Sequence, residues 1–323
     1  MTRGIPFPGG KSFAFTILDD TDDTTVENGR PIYSLLKELG LRTTKTVWAL
    51  DTPRGEQGPY FAAETLQNEQ YRAWVHELAA DGFEIAFHNA SMGTSHREKT
   101  IEALDFLAQE FEGAPRLHCN HGQNRENLHW GASRYSTFEL GMVARAVERV
   151  RGGRTYEGHE PGSPYYWEDV CAERIEYVRR LAFLRLNCAT IPPGRPFHDP
   201  RKPGIPLWFN TADAANVTVF TDLVTREAID ELEASGGWAI VSTHLGKGFV
   251  REGRVDPSVR KILEDLADRP GWFVPASPML DHIRTHSGDG PLEGRAMRRM
   301  EYAHVRDRVS ARLTDRSSPK TPS

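Results

Sequence analysis

The sequence predicts a parallel α/β fold, and three observations support the prediction. Short apolar segments rich in β-favouring residues alternate with amphipathic segments at helical spacing. Several apolar segments run directly into Asp or His, which is typical of strands whose carboxyl ends face a ligand site. The 323 residues contain no internal repeat, and their number suits one large domain or two smaller ones.

The first strand is predicted at residues 13–18, which are apolar and β-favouring. Four carboxylates follow within five positions, at Asp19, Asp20, Asp22 and Asp23. Carboxylates this close repel one another, and a bound cation or protons held at raised pKa would relieve the repulsion. An acidic, solvated turn that caps the next helix is the alternative interpretation.

The remaining elements continue the alternation. Pro31 in the first turn and Gly40 after the last delimit the first predicted helix, and Ser95 with Glu98 forms a predicted capping box. Further strands are predicted at residues 43–50, 83–87, 115–119, 181–186, 206–210, 217–220, 238–243 and 272–274. Helices are predicted at residues 31–39, 68–80, 96–107, 126–151, 166–180, 226–234, 257–267 and 278–284.

The composition changes near Ser287, which divides the chain into a predicted barrel domain at residues 1–286 and a charged extension at residues 287–323. Residues 295–313 predict a charged helix within this extension. The last ten or so residues, rich in Ser, Pro and Thr, are predicted to be disordered.

Overall composition excludes some classes of function. A formal charge of −5 and a pI near 6.2 argue against nucleic acid as a partner. No apolar run is long enough to span a bilayer, and the amino terminus lacks the pattern of a secretory signal. Cys119, Cys171 and Cys188 are odd in number and widely spaced, which predicts reduced thiols in a cytoplasmic protein.

Polar residues at the predicted strand ends supply candidate metal ligands. Asp19 and Asp20 follow the first strand, His88 the third, and His244 a late strand, while a shorter strand delivers His118 and His121. A barrel brings such ends together on one face. Asp and His together suit zinc, or alternatively manganese, iron or cobalt.

These segments resemble the polysaccharide deacetylase (NodB-homology) superfamily. The resemblance is carried by Thr16-Ile17-Leu18-Asp19-Asp20, by Gly82-Phe83-Glu84-Ile85-Ala86-Phe87-His88 and by Ser242-Thr243-His244, and it extends over residues 12–284. It implies an irregular (β/α) barrel with fewer than eight regular repeats. It also implies hydrolysis of N- or O-acetyl groups on sugars with one divalent metal ion.

The resemblance also implies roles for individual residues. Asp19 corresponds to the general base, Asp20 and His88 to metal ligands, and His244 to the general acid. The family's second histidine position is occupied here by Met92, which is a departure from the pattern. The preferred candidate for the missing ligand is His121, which follows a strand between glycine and amides, and the alternatives are His96 and Asp22.

Three further residues are expected to contact the substrate. Arg116 is a candidate for the family's active-site arginine, although its proline-tyrosine context is absent. Asn124 either orients a ligand histidine or caps a helix, and Trp130 either lines a sugar site or packs structurally.

The predicted function is therefore a metal-dependent carbohydrate deacetylase with zinc as the first candidate ion. A non-catalytic carbohydrate- or partner-binding protein on the same barrel is the alternative, because Met92 removes a ligand. A different metallohydrolase that attacks an amide or a phosphate is a third interpretation. A homo-oligomer is compatible with the sequence.

Overall fold

The computed structural model of the chain describes residues 5–52, 63–113, 115–150, 153 and 155–317, with the backbone alone described from residue 311 onward. Seven parallel strands form a closed barrel in the order β1 to β7, with β7 paired back to β1. The strands are β1 (Phe13–Asp19), β2 (Thr44–Val47), β3 (Glu84–Phe87), β4 (Leu117–His118), β5 (Tyr177–Phe183), β6 (Leu207–Ala214) and β7 (Trp238–Thr243). The predicted irregular (β/α) barrel is confirmed.

Helices surround the barrel, as the alternation in the sequence predicts. They are α1 (Val26–Glu38), α2 (Glu69–Ala80), α3 (Arg97–Glu110), α4 (Phe138–Val150), α5 (Glu168–Arg174), α6 (Val217–Leu223), α7 (Arg226–Ala234), α8 (Pro257–Ala267), α9 (Ala276–Ser287) and α10 (Gly294–Ser317). A short antiparallel hairpin, β8 (Val250–Arg251) and β9 (Arg254–Val255), follows β7, and β10 (Gly271–Trp272) pairs with the start of β1. Within the described residues, no helix is long and apolar enough to cross a membrane.

The closure between β1 and β7 places the acidic segment at one end of the barrel. All seven residues of β1 are buried, and its register with β7 runs from Ala14 opposite Trp238 to Asp19 opposite Thr243. Because the strands are parallel, the carboxyl ends of β1, β3, β4 and β7 all open onto the same face. This geometry brings Asp20, His88 and His244 together from distant parts of the sequence.

Three sequence-based element predictions are wrong. Residues 217–220 begin helix α6 and not a strand, because the side chain of Asn216 accepts a hydrogen bond from the backbone N–H of Val219 and caps the helix. The helix predicted at 166–180 ends at Arg174, and β5 takes over from Tyr177. Of the described residues in the long helix predicted at 126–151, only Phe138–Val150 are α-helical.

The predicted charged helix of the extension is present as α10, and it packs against the barrel. Met297, Met300, Glu301 and His304 on this helix are buried. Glu301 forms an ion pair with Arg180 of β5 at 2.8 Å. The predicted disorder of the carboxyl-terminal tail falls mostly on residues 318–323, which lie outside the described residues.

Candidate active site

A cavity of about 570 Å³ opens at the carboxyl end of the barrel. Its lining combines carboxylates and imidazoles from the strand ends with arginines from the barrel wall and from α10. Asp20, Asp22, His88, His121 and His244 all line it. With Trp130, six of the residues singled out from the sequence are therefore brought into one cavity.

Asp22 occupies the centre of this group. Its Oδ1 atom lies 3.3 Å from Nε2 of His88 and 3.7 Å from Nε2 of His121. Its Oδ2 atom lies 3.4 Å from Nε2 of His244 and 3.2 Å from Nζ of Lys247. Burial by itself would raise the pKa of Asp22, but the adjacent imidazoles of His244 and His88 outweigh burial and lower it.

His121 is held in one orientation by an amide. Its Nδ1 lies 2.8 Å from Oδ1 of Asn124, so Nδ1 carries the proton and the lone pair of Nε2 faces the Asp22 carboxylate. The Asn124 amide nitrogen in turn donates to Glu126 Oε1 at 2.6 Å and to the carbonyl of Ser91 at 3.0 Å. Burial raises the pKa of Glu126 to about 7 and lowers that of His121. Asn124 thus orients the histidine, as one of its two predicted roles requires.

One carboxylate oxygen of Asp20, Oδ1, makes no hydrogen bond within the described residues and lies 3.9 Å from Nδ1 of His88. The other oxygen, Oδ2, accepts a hydrogen bond from Nη1 of Arg179 at 2.7 Å. Burial would raise the pKa of Asp20, but the Arg179 guanidinium, followed by His88 and His244, outweighs burial and lowers it. The carboxylate is therefore ionised and has an oxygen available to accept a proton.

Asp19 has no oxygen of this kind. Its Oδ2 accepts hydrogen bonds from Tyr33 Oη at 2.9 Å and from Lys45 Nζ at 3.1 Å, and its Oδ1 accepts one from the backbone N–H of Leu245 at 2.8 Å. Asp19 and Lys45 are both fully buried. Burial disfavours the charged form of Lys45, but the Asp19 carboxylate outweighs burial and raises its pKa. This geometry does not favour the predicted role of Asp19 as the general base.

His244 is arranged to carry a proton. Its Nδ1 donates to the carbonyl of Ala215 at 2.8 Å, and its Nε2 faces Oδ2 of Asp22. Burial would lower the pKa of His244, but its hydrogen bond to Asp22 and the nearby charge of Asp20 outweigh burial and raise it. A protonated imidazole at the cavity wall suits a general acid.

The other predicted site residues differ in their positions. Trp130 lines the cavity. Arg116 does not: it is half exposed and forms ion pairs with Glu176 and Asp281 at the outer surface, so it is not placed to contact a substrate in this cavity. His96 precedes α3, its ring stacks on Tyr165, and it does not line the cavity. Met92 is buried and does not line the cavity.

The donor atoms around Asp22 fit a divalent metal ion. No group of three or more His, Cys, Asp or Glu side chains among the described residues already has a metal-binding arrangement. However, Asp22 Oδ1 is buried without a hydrogen-bond partner in that part of the chain, and two imidazole nitrogens lie 3.3 and 3.7 Å from it. Bonds of about 2.0–2.2 Å would place two ligand atoms of tetrahedral zinc roughly 3.3–3.6 Å apart. A carboxylate oxygen and two imidazole nitrogens are also ligands that zinc prefers.

Arg179 is the most important residue that sequence analysis missed. Arg179 and Arg180 lie in β5, where the strand is otherwise almost wholly apolar. The predicted helix at 166–180 covers them, and adjacent arginines on a helix would be interpreted as solvated. Two buried charges in an apolar strand are a recognisable signal once the strand is assigned correctly.

Comparison with known proteins supports the fold. No protein-family model and no curated protein matches the sequence. Solved structures do match: a candidate polysaccharide deacetylase from Mycobacterium smegmatis has a TM-score of 0.55 and 12% identity over 90% of this chain and 97% of its own. Another from Pseudomonas aeruginosa PAO1 has a TM-score of 0.52 and 13% identity, over 88% and 95%. The Puue allantoinase has a TM-score of 0.53 and 12% identity, over 89% and 95%.

Proposed function

We propose that this protein, which has the fold of the polysaccharide deacetylases, is a metal-dependent hydrolase that removes an N- or O-linked acetyl group from a carbohydrate. The single observation that carries the proposal is the Asp22 carboxylate, which faces the Nε2 atoms of three histidines beside an Asp20 oxygen that makes no hydrogen bond within the described residues. This set contains the groups that such a hydrolysis needs: metal ligands, a base and an acid.

Asp22, His88 and His121 are the residues that would hold the ion, with zinc first and manganese, iron or cobalt as alternatives. When bound, a divalent ion polarises the acetyl carbonyl and lowers the pKa of a water molecule. This assignment moves the ligand role from Asp20 to Asp22, because Arg179 already binds Asp20. His121 takes the position that Met92 leaves open, and its second nitrogen is fixed by Asn124.

Asp20 is the general base in this proposal. Its Oδ1, which accepts no hydrogen bond from the described residues, takes a proton from the attacking water, while Arg179 keeps the carboxylate ionised and oriented. His244 then donates the proton on Nε2 to the departing amine or alkoxide, and its Nδ1 hydrogen bond to Ala215 fixes the ring. Trp130 offers an aromatic face to the sugar ring.

The test measures metal content and acetate release for the full-length protein and for Asp22→Asn, with Asp23→Asn as the matched control. Asp23 is adjacent in sequence, does not line the cavity and has a φ of 60° that asparagine tolerates. We expect one metal ion per chain in the control and at least a tenfold loss of metal affinity in Asp22→Asn. Stoichiometric metal in Asp22→Asn would refute the ligand assignment.

A second candidate function is carbohydrate binding without catalysis, favoured by Met92, which stands where the family pattern has its second metal-binding histidine. Sugar binding with no acetate release at any added metal would support it. Because the fold is also that of an allantoinase, hydrolysis of an amide other than an acetamide is a variant of the main proposal. A substrate screen distinguishes this reaction from deacetylation. We further propose a cytoplasmic location, because all three cysteines are free and buried.

A further inference from the structure

The cavity carries more cationic than anionic side chains, and most of its cations already have carboxylate partners. Their ion pairs, with N···O distances of 2.6–3.2 Å, are Arg179 with Asp20, Arg180 with Asp199, Arg308 with Asp213, and Lys247 with Asp22. The fifth cation of the lining is Arg134.

Arg134 differs from the other four. Its guanidinium has no hydrogen bond and no ion pair with any residue that the structure describes, and its Nε is buried without a partner in that same part of the chain. Its guanidinium packs against Trp130, whose ring centroid lies 4.0 Å from Cζ of Arg134. A guanidinium in a cavity wall with no anion beside it is costly, since burial removes water from the charge.

The surrounding contacts hold Arg134 in place at the cavity wall. Its carbonyl oxygen accepts hydrogen bonds from Nη2 of Arg180 at 3.0 Å and from Nζ of Lys202 at 3.1 Å. The stack on Trp130 restricts the plane of the guanidinium. A fixed planar fork of donors is suited to bidentate recognition of carboxylate or phosphate.

We propose that the substrate carries an anionic group, a carboxylate or a phosphate, that pairs with Arg134 while the acetyl group lies at Asp22. The acetyl part of this statement rests on the proposed function, but the anion site does not depend on it. Trp130, one of the residues predicted to bind sugar, then supports the arginine as well as facing the substrate.

Calorimetric titration of the full-length protein with sodium sulfate tests the anion site directly. Sodium chloride at matched ionic strength controls for general screening. We expect Arg134→Gln to weaken sulfate binding at least tenfold, and Arg134→Lys, which keeps the charge, to weaken it less. Arg260→Gln is the control, because Arg260 is exposed on α8 and forms an ion pair with Glu264. No sulfate binding by the wild type, or equal binding by Arg134→Gln, overturns the proposal.

A second titration identifies the anion. The probes are N-acetylglucosamine, N-acetylglucosamine 6-phosphate and N-acetylmuramic acid, which carry no charge, a phosphate and a carboxylate. Tighter binding of one charged sugar, lost in Arg134→Gln, supports the proposal and names the group. Equal affinity for all three sugars overturns it. An absence of acetate release would contradict the proposed function and leave both titrations fully informative about the anion site.

Discussion

Replacing Glu301 with glutamine should destabilise the whole barrel, although Glu301 belongs to the extension that the sequence separates from it. The side chain is fully buried. Its Oε1 accepts from the backbone N–H of Ser136 at 2.7 Å and from Nη2 of Arg180 at 2.8 Å, and its Oε2 accepts from the N–H of Thr137 at 2.8 Å. Glu301 therefore joins α10, the segment before α4, and β5.

The size of the expected change in the free energy of unfolding follows from these contacts. Removing one partner of a buried ion pair costs about 3–5 kcal/mol. Arg180 keeps Asp199 at 2.7 Å, which favours the lower end of that range. The NH₂ group of the glutamine would also face another hydrogen-bond donor, either a backbone N–H or Arg180. We expect Glu301→Gln to lower the free energy of unfolding by about 3 kcal/mol.

Urea unfolding followed by tryptophan fluorescence measures this change. Glu139→Gln is the control, because Glu139 is about half exposed and lies 3.8 Å from Arg298, so its free energy of unfolding should change by less than about 0.5 kcal/mol. A change below about 1 kcal/mol for Glu301→Gln would refute the argument that α10 is an integral part of the barrel.

Two further predictions concern buried charges. Lys45→Met should lower the free energy of unfolding by about 3–5 kcal/mol because it leaves Asp19 buried without a cation, and the double variant with Asp19→Asn should recover much of that loss in urea unfolding. Burial, together with Arg134 and Arg308, lowers the pKa of His304 to about 3 from an ordinary value of 6.5. Between pH 6.5 and about pH 3, His304 is therefore protonated in the unfolded chain but neutral in the folded chain. As the pH falls through this range, His304 lowers the free energy of unfolding by an amount that approaches about 1.4 kcal/mol per pH unit. In urea unfolding at pH 7, 6 and 5, the free energy of unfolding should depend less on pH for His304→Gln than for the wild type. An equal dependence in the two proteins would contradict the lowered pKa of His304.

The sequence by itself determined the architecture of this protein. Apolar segments that alternate with amphipathic ones predict the parallel barrel, because periodicity reports which face of each element is buried. The same pattern predicts that Asp20, His88 and His244 share one face, since parallel strands direct their carboxyl ends the same way. His121, the preferred replacement for the missing ligand, also lies in this cavity.

Only the tertiary structure decided how the acidic residues differ from one another. Lys45 of β2 and the N–H of Leu245 engage both oxygens of Asp19, while Arg179 of β5 engages one oxygen of Asp20. These partners are far from the aspartates in sequence, so no local pattern could assign them. Asp22 lies among the histidines because neighbouring strands bring them there, and burial then makes each unpaired oxygen chemically significant.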